Sequence, residues 1–207
     1  MITSLPNLLT LSRIGVIPAI VALFWVDGDL TRWVMLALYT FACLTDFFDG
    51  YAARSMGNIS NFGKFLDPVA DKLLVAAVIL MLVAFDRVTG ISILAGLVIL
   101  CREMLVSGLR EFLADIKVGV PVSKLSKWKT MIQMLTLGFL IIGDASPAII
   151  PAMLIGDIGL WIAALLTLIT GYDYLKTGLT HLTANKSKPN EEKIERLVPH
   201  VEESSVN

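Results

Sequence analysis

The sequence predicts an all-α, polytopic membrane protein: six transmembrane helices around a polar cavity open to the cytoplasm. Three observations carry that expectation. Of the 207 residues, 56% are hydrophobic and only 17% charged, with a mean hydropathy of +0.74, a balance too apolar to maintain a soluble surface. Six apolar segments follow one another along the chain between polar links. Ionisable residues recur within those segments, where facing lipid would be costly and facing one another is not.

The segments cover residues 8–25, 33–54, 68–85, 88–109, 128–143 and 158–174. Short links at 26–32 and 85–88 alternate with longer ones at 55–67 and 110–127, which makes three helical hairpins. No internal repeat is visible. On one side the links hold only Arg32 and Arg87, whereas Arg54, Lys64, Lys72, Arg110, Lys117, Lys124, Lys127, Lys129 and Lys176 gather on the other. That asymmetry predicts both termini in the cytoplasm. Trp25, Trp33, Trp128, Tyr172 and Tyr174 lie near segment ends, as interfacial anchors do.

The membrane domain is expected to span residues 1–180, with residues 181–207 a charged cytoplasmic tail containing Pro189 and Pro199. No basic region precedes the first apolar run, so that run is expected to remain in the protein. His181 and His200 fall in the tail, which leaves no histidine for acid–base work in the membrane body. Cys43 and Cys101 lack CxxC spacing and a neighbouring histidine, and read as small buried hydrophobes. A net charge of −1 gives no overall field for nucleic acid, which is not expected as a partner.

Strictly uncharged sequence runs only over residues 33–45 and 73–85 in the second and third segments. Each stretch reaches about 20 Å, against a hydrocarbon core of about 30 Å. The missing turns must come from the sequence beginning at Asp46 and from that between Asp67 and Lys72, which brings their charges below the headgroups. Arg102 and Glu103 in the fourth segment and Arg13 in the first fit the same pattern. A charge at the bilayer centre costs about 2.5–3.5 kcal/mol on insertion scales. Arg13 or Lys72 could snorkel, but Asp is too short.

From Asp46 the chain reads D-F-F-D-G-Y-A-A-R, then eight residues, then G-K-F-L-D-P-V-A-D. On helices Asp46 and Asp49 are spaced i, i+3 and Asp67 and Asp71 i, i+4, so each pair shares a face. Two antiparallel helices can then offer four carboxylates to one point. Such an all-oxygen set suits Mg²⁺ or Mn²⁺ and is large enough for two ions about 3.5–4 Å apart. Pro68 fits a first helical turn, which would put Asp67 near an N-cap. Gly50 leaves room for a ligand to approach the backbone, and Arg54 supplies a cation within reach of a phosphate. The structural alternative is an ion-pair network with Arg102 and Lys72, although the acids outnumber the nearby bases.

Asp46, Asp49, Gly50, Ala53, Arg54, Gly63, Asp67 and Asp71 match D-x-x-D-G-x-x-A-R-x(8)-G-x(3)-D-x(3)-D without departure. The chain therefore resembles the CDP-alcohol phosphotransferase family over all but its tail. Three less specific stretches bring it nearest to members that use glycerol 3-phosphate: Pro6 to Arg13, Arg102-Glu103 with Ser107 to Glu111, and Lys124 to Thr130. The resemblance implies that Asp46, Asp49, Asp67 and Asp71 bind two divalent cations gripping the pyrophosphate of CDP-diacylglycerol. It assigns Asp71 as the base toward the acceptor hydroxyl and brings Asn7, Thr10, Gly50 and Arg54 to the CDP-lipid. It further implies a homodimer among membrane lipid in a bacterial plasma (inner) membrane.

An anionic acceptor such as glycerol 3-phosphate needs cations beside the metals, and Arg102, Arg110, Lys127 and Lys129 are the candidates. Lys124, Lys127 and Lys129 could equally be a positive-inside loop, Arg110 could pair with Glu111 or headgroups, and Glu103 could serve only to neutralise an arginine. No Ser, Cys or His in the motif suggests an activated nucleophile, so direct transfer is expected. Inositol phosphate, serine or phosphatidylglycerol are alternative acceptors. A membrane cation carrier is the rival of another class, disfavoured by acids clustered toward one leaflet without a repeat.

Overall fold

The computed structural model describes residues 5–56, 61–116 and 124–195, with the side chains of 10–45, 66, 68–116, 125–176 and 178. Among the described residues every regular element is helical. In order they are α1 (Leu5–Leu23), α2 (Asp29–Met56), α3 (Asn61–Ala84), α4 (Ser92–Asp115), α5 (Lys124–Ile142), a short 3₁₀ turn at Gly143–Ala145, and α6 (Ala152–Glu195).

Local chemistry accounts for the boundaries. Pro6 stands in the first turn of α1, where its missing N–H costs nothing. Asp29 opens α2 with a negative charge at the positive end of the helix dipole. α3 closes in a Schellman arrangement: the Asp86 N–H bonds the Val83 carbonyl and the Arg87 N–H the Leu82 carbonyl, with Asp86 at φ 55°. α5 stops at Gly143, whose φ of 50° a side chain would resist.

α3 begins at Asn61, so Pro68 lies inside the helix and Asp67 is not at its N-cap, which corrects the expectation drawn from the proline. Proline removes one intrahelical donor here, and the Lys72 ammonium donates to the Pro68 carbonyl at 2.8 Å. α6 starts ahead of the expected apolar segment and continues without interruption to Glu195.

α5 and α4 both pack along α6, α1 packs on α2 and α3, and α2 on α5. One core runs through all six helices, from Ile20 and Phe24 through Tyr39, Leu82 and Ile99 to Leu140 and Leu160. The α5–α6 seam is close because α6 presents Gly156 and Gly159. A Cβ on Gly156 would lie 2.6 Å from Leu140 Cδ2, and one on Gly159 2.4 Å from Thr136 Oγ1. Small residues are how helices approach without a hydrophobic driving force.

Large apolar side chains cover the outside, among them Leu80, Leu97, Leu135, Leu154, Leu165 and Leu168, while Arg13, Lys129, Gln133, Thr136, Thr167 and Thr170 are buried. That inversion of the soluble pattern marks a membrane protein. Ser92–Asp115 and Ala152–Lys176 are long and apolar enough to cross a bilayer, and Thr10–Leu23 is a shorter apolar helix. Cysteine placement differs from expectation: Cys101 is exposed and Cys43 half-buried. On an apolar exterior, exposure of a small thiol carries no penalty.

At the end away from the acidic motif, Arg87 ties two links together. Its guanidinium donates to the Ile141 carbonyl at 2.5 Å and lies 5.1 Å from the Phe24 ring centroid. Burial, aided by the neighbouring Arg32 charge, pushes it below the usual arginine range, and Asp144 opposes that shift. Arg87→Leu should cost about 1–3 kcal/mol by removing a charged hydrogen bond and a cation–π contact, readable as a lower unfolding midpoint in detergent.

Candidate active site

The middle of α2 and the part of α3 that carries Asp71 meet the C-terminal part of α4 and the N-terminal part of α5 around a cavity of about 300 Å³. α2 contributes Tyr39, Ala42 and Cys43; α3 contributes Pro68, Asp71 and Lys72; α4 contributes Arg102, Glu103 and Arg110; α5 contributes Lys129 and Gln133. Of the metal-site candidates, Asp71 is the one whose side chain is described. The side chains of Asn7, Asp46, Asp49, Arg54, Asp67 and Lys124 lie outside the described residues, as do the surroundings of Gly50.

Asp71 is 40% exposed, and its Oδ1 lies 2.5 Å from Arg13 Nη1. Arg13 is fully buried on α1, so the allowance that it snorkels is corrected: packing against α2 and α3 leaves it no route to solvent. Thr10, one turn earlier, is also buried and stands on the same end of the bundle. A buried arginine with a carboxylate partner is tolerable where an isolated one is not.

The acceptor-phosphate candidates fall into two groups. Arg102, Arg110 and Lys129 line the cavity, whereas Lys127 is exposed and does not line it. Arg102 donates to Thr170 Oγ1 at 3.0 Å and sits 3.4 Å from Glu103 Oε1, and its stem lies against Gly171, where a Cβ would fall 3.0 Å from Arg102 Cγ. Arg110 donates to the Tyr174 hydroxyl at 3.0 Å with its guanidinium 5.5 Å from that ring. α6 therefore orients both arginines from behind. Lys129 also bonds Glu103, so this carboxylate serves a lysine as well as an arginine.

Among the described residues, four cations (Lys72, Arg102, Arg110 and Lys129) and three carboxylates (Asp71, Glu103 and Glu111) share the lining. Two buried polar atoms there, Arg102 Nε and Gln133 Oε1, have no hydrogen-bond partner among the described residues. A buried group left unpaired costs about 1–3 kcal/mol unless a ligand or water completes it. Sequence reading overlooked Gln133 and Thr170, whose neutral amide and hydroxyl carry no charge to betray them, and took Tyr174 for an interfacial anchor, whereas it is buried behind Arg110. The signal available was a glutamine one turn after Lys129 on an apolar helix.

A helical bundle with an apolar exterior and a charged cavity toward one end belongs to the class of integral membrane proteins with a bundle-embedded polar site. A family model described as CDP-alcohol phosphatidyltransferase matches residues 3–169. The chain belongs to that family. It is 52% identical over 178 residues, 86% of this chain and 98% of the other, to the CDP-diacylglycerol--glycerol-3-phosphate 3-phosphatidyltransferase of Rickettsia typhi. The fold is similar to crystal structures of Mycobacterium tuberculosis phosphatidylinositol phosphate synthase (PgsA1). The form with CDP-DAG bound gives a TM-score of 0.59 at 22% identity, covering 86% of this chain and 88% of that one. The complex with manganese and citrate gives 0.57 at 22% identity, covering 83% and 82%.

Proposed function

We infer that the chain transfers the phosphatidyl group of CDP-diacylglycerol to glycerol 3-phosphate, releasing CMP and forming phosphatidylglycerophosphate. The observation that carries this reading is one cavity that joins Asp71 to Arg102, Arg110 and Lys129. The name of the Rickettsia typhi relative supports the same donor and acceptor.

The donor set on α2 and α3, Asp46, Asp49, Asp67 and Asp71, is carboxylate alone, which fits hard divalent cations such as Mg²⁺ or Mn²⁺. Asp71 is open to the cavity, as a ligand or base must be. Two such ions, when bound, would screen the pyrophosphate and polarise its phosphorus. Manganese in the Mycobacterium tuberculosis neighbour is compatible with that choice.

Asp71 takes the proton of the acceptor hydroxyl as the hydroxyl oxygen bonds to the phosphorus that carries diacylglycerol. The P–O bond to CMP breaks, and CMP leaves with the electron pair. Arg13 fixes the Asp71 carboxylate from behind. Arg102, Arg110 and Lys129 hold the acceptor phosphate, and exposed Lys127 draws anions toward the cavity mouth. Asn7, Thr10, Gly50 and Arg54 bind the nucleotide end of the lipid. The six helices span the bacterial inner membrane with both termini cytoplasmic, an orientation supported by the distribution of Lys and Arg. Residues 1–180 form the catalytic domain, residues 181–207 the tail, and the chain works as a homodimer among membrane lipid.

The test is CMP release by purified protein with CDP-diacylglycerol and Mg²⁺ or Mn²⁺, offering glycerol 3-phosphate, inositol phosphate, serine and phosphatidylglycerol separately. Glycerol 3-phosphate should support release. Release with another acceptor alone overturns the acceptor, and no release with any from folded protein restores the cation-carrier reading. Arg102→Ala should raise the KM for glycerol 3-phosphate about 10–100-fold while leaving that for CDP-diacylglycerol within about twofold, since a hydrogen bond to a charged group is worth about 1.5–3 kcal/mol.

A further inference from the structure

We propose that the terminal amide of Gln133 reads the secondary hydroxyl of the acceptor, making it a specificity-determining residue of the transfer; this rests on glycerol 3-phosphate being the acceptor. Gln133 is 3% exposed, lines the cavity, and leaves its Oε1 without a hydrogen-bond partner among the described residues. Water can hold this atom while the cavity is empty, but a ligand that displaces the water must bring a partner for it.

The missing partner is a donor. An ionised phosphate has no proton to give, and the cavity already presents Arg102, Arg110 and Lys129 to a phosphate. A hydroxyl can donate to an amide oxygen or accept from an amide nitrogen, so it satisfies either orientation of the side chain. Gln133 stands four residues after Lys129 on the same face of α5, about 6 Å further along the axis.

Glycerol 3-phosphate carries three groups: a phosphate, a terminal hydroxyl that attacks, and a secondary hydroxyl that does not react. The lining also holds hydroxyls, but those of Tyr39, Ser107 and Thr130 already donate to the Met134 carbonyl, Glu111 and the Ser126 carbonyl. Gln133 Oε1 is the buried lining acceptor without a partner among the described residues, which assigns the secondary hydroxyl to it. Sites built to pair a hydroxyl reject analogues that lack it far more strongly than apolar pockets reject a missing methylene.

The experiment compares kcat/KM for glycerol 3-phosphate and for 3-hydroxypropyl phosphate, which lacks only the secondary hydroxyl, in wild-type protein, Gln133→Met and Gln133→Asn. Both acceptors are measured on one preparation, so their ratio does not depend on the folded fraction. Wild-type protein should prefer glycerol 3-phosphate by about tenfold or more. Gln133→Met, close in volume, should bring the ratio near one, with Gln133→Asn between. A wild-type ratio near one, an unchanged ratio in Gln133→Met, or a Gln133→Met protein inactive with both acceptors overturns the assignment. Absence of wild-type release with glycerol 3-phosphate is a different result, and it overturns the acceptor reading instead.

Discussion

Asp71→Asn should lower CMP release by about 10²–10⁴-fold, the range a positioned general base contributes. Asparagine keeps the shape of the side chain and an oxygen that can still accept from Arg13, whose Nη1 lies 2.5 Å from Asp71 Oδ1. It removes the negative charge and the basicity together. Because a neutral amide leaves buried Arg13 without that counter-charge, release is compared per folded protein, and a chelator should bring the wild-type rate to a similar floor. Restoration by added Mg²⁺ or Mn²⁺ distinguishes the two: the chelated wild type recovers, and Asp71→Asn does not. A variant retaining a tenth or more of wild-type activity would remove Asp71 from the proton transfer.

Gly156→Ala should be among the most damaging additions of a single methyl. Its new methyl would fall 2.6 Å from Leu140 Cδ2, 2.7 Å from Leu140 Cγ and 3.3 Å from the Leu140 backbone nitrogen. Leu140 is buried in the core, so it has nowhere to turn. Overpacking of this kind costs about 1–3 kcal/mol, and for a chain of this length that lowers the unfolding midpoint by roughly 2–12 °C. The damage should spread to acceptor affinity, because α6 carries Thr170 and Tyr174 behind Arg102 and Arg110. Gly108→Ala is the control: nothing lies within 4 Å of its added methyl, and alanine's helix preference should raise the midpoint slightly. Equal behaviour of the two variants would mean that α5 and α6 can separate freely.

The helices were legible because lipid imposes apolar runs of a set length, and each of the six runs falls on one helix. What hydropathy could not see is helix built from polar sequence. α3 extends back to Asn61 through Lys64 and Asp67, and α6 forward to Glu195, through polar residues that contribute no apolar signal. Charged members of the cavity were also visible, since a buried charge is conspicuous in an apolar segment. The pairing of Glu103 with an arginine was visible too, but the distant partners were not. Arg102 meets Thr170 across 68 residues and Arg110 meets Tyr174 across 64, separations that periodicity cannot bridge. Arg13 was legible as a charge but not as a partner of Asp71, 58 residues away.

The contact between Arg13 and Asp71 bears on how the molecule is made. A cluster of acids that had to await metal would resist assembly of the helices that carry it. Arg13 is a counter-ion supplied by the chain itself, tethered on α1 and therefore present at a fixed effective concentration whatever the ionic composition outside. On the proposed function, membrane insertion and helix association would then precede loading with divalent ions, and fluctuations in their supply would govern activity without threatening the fold.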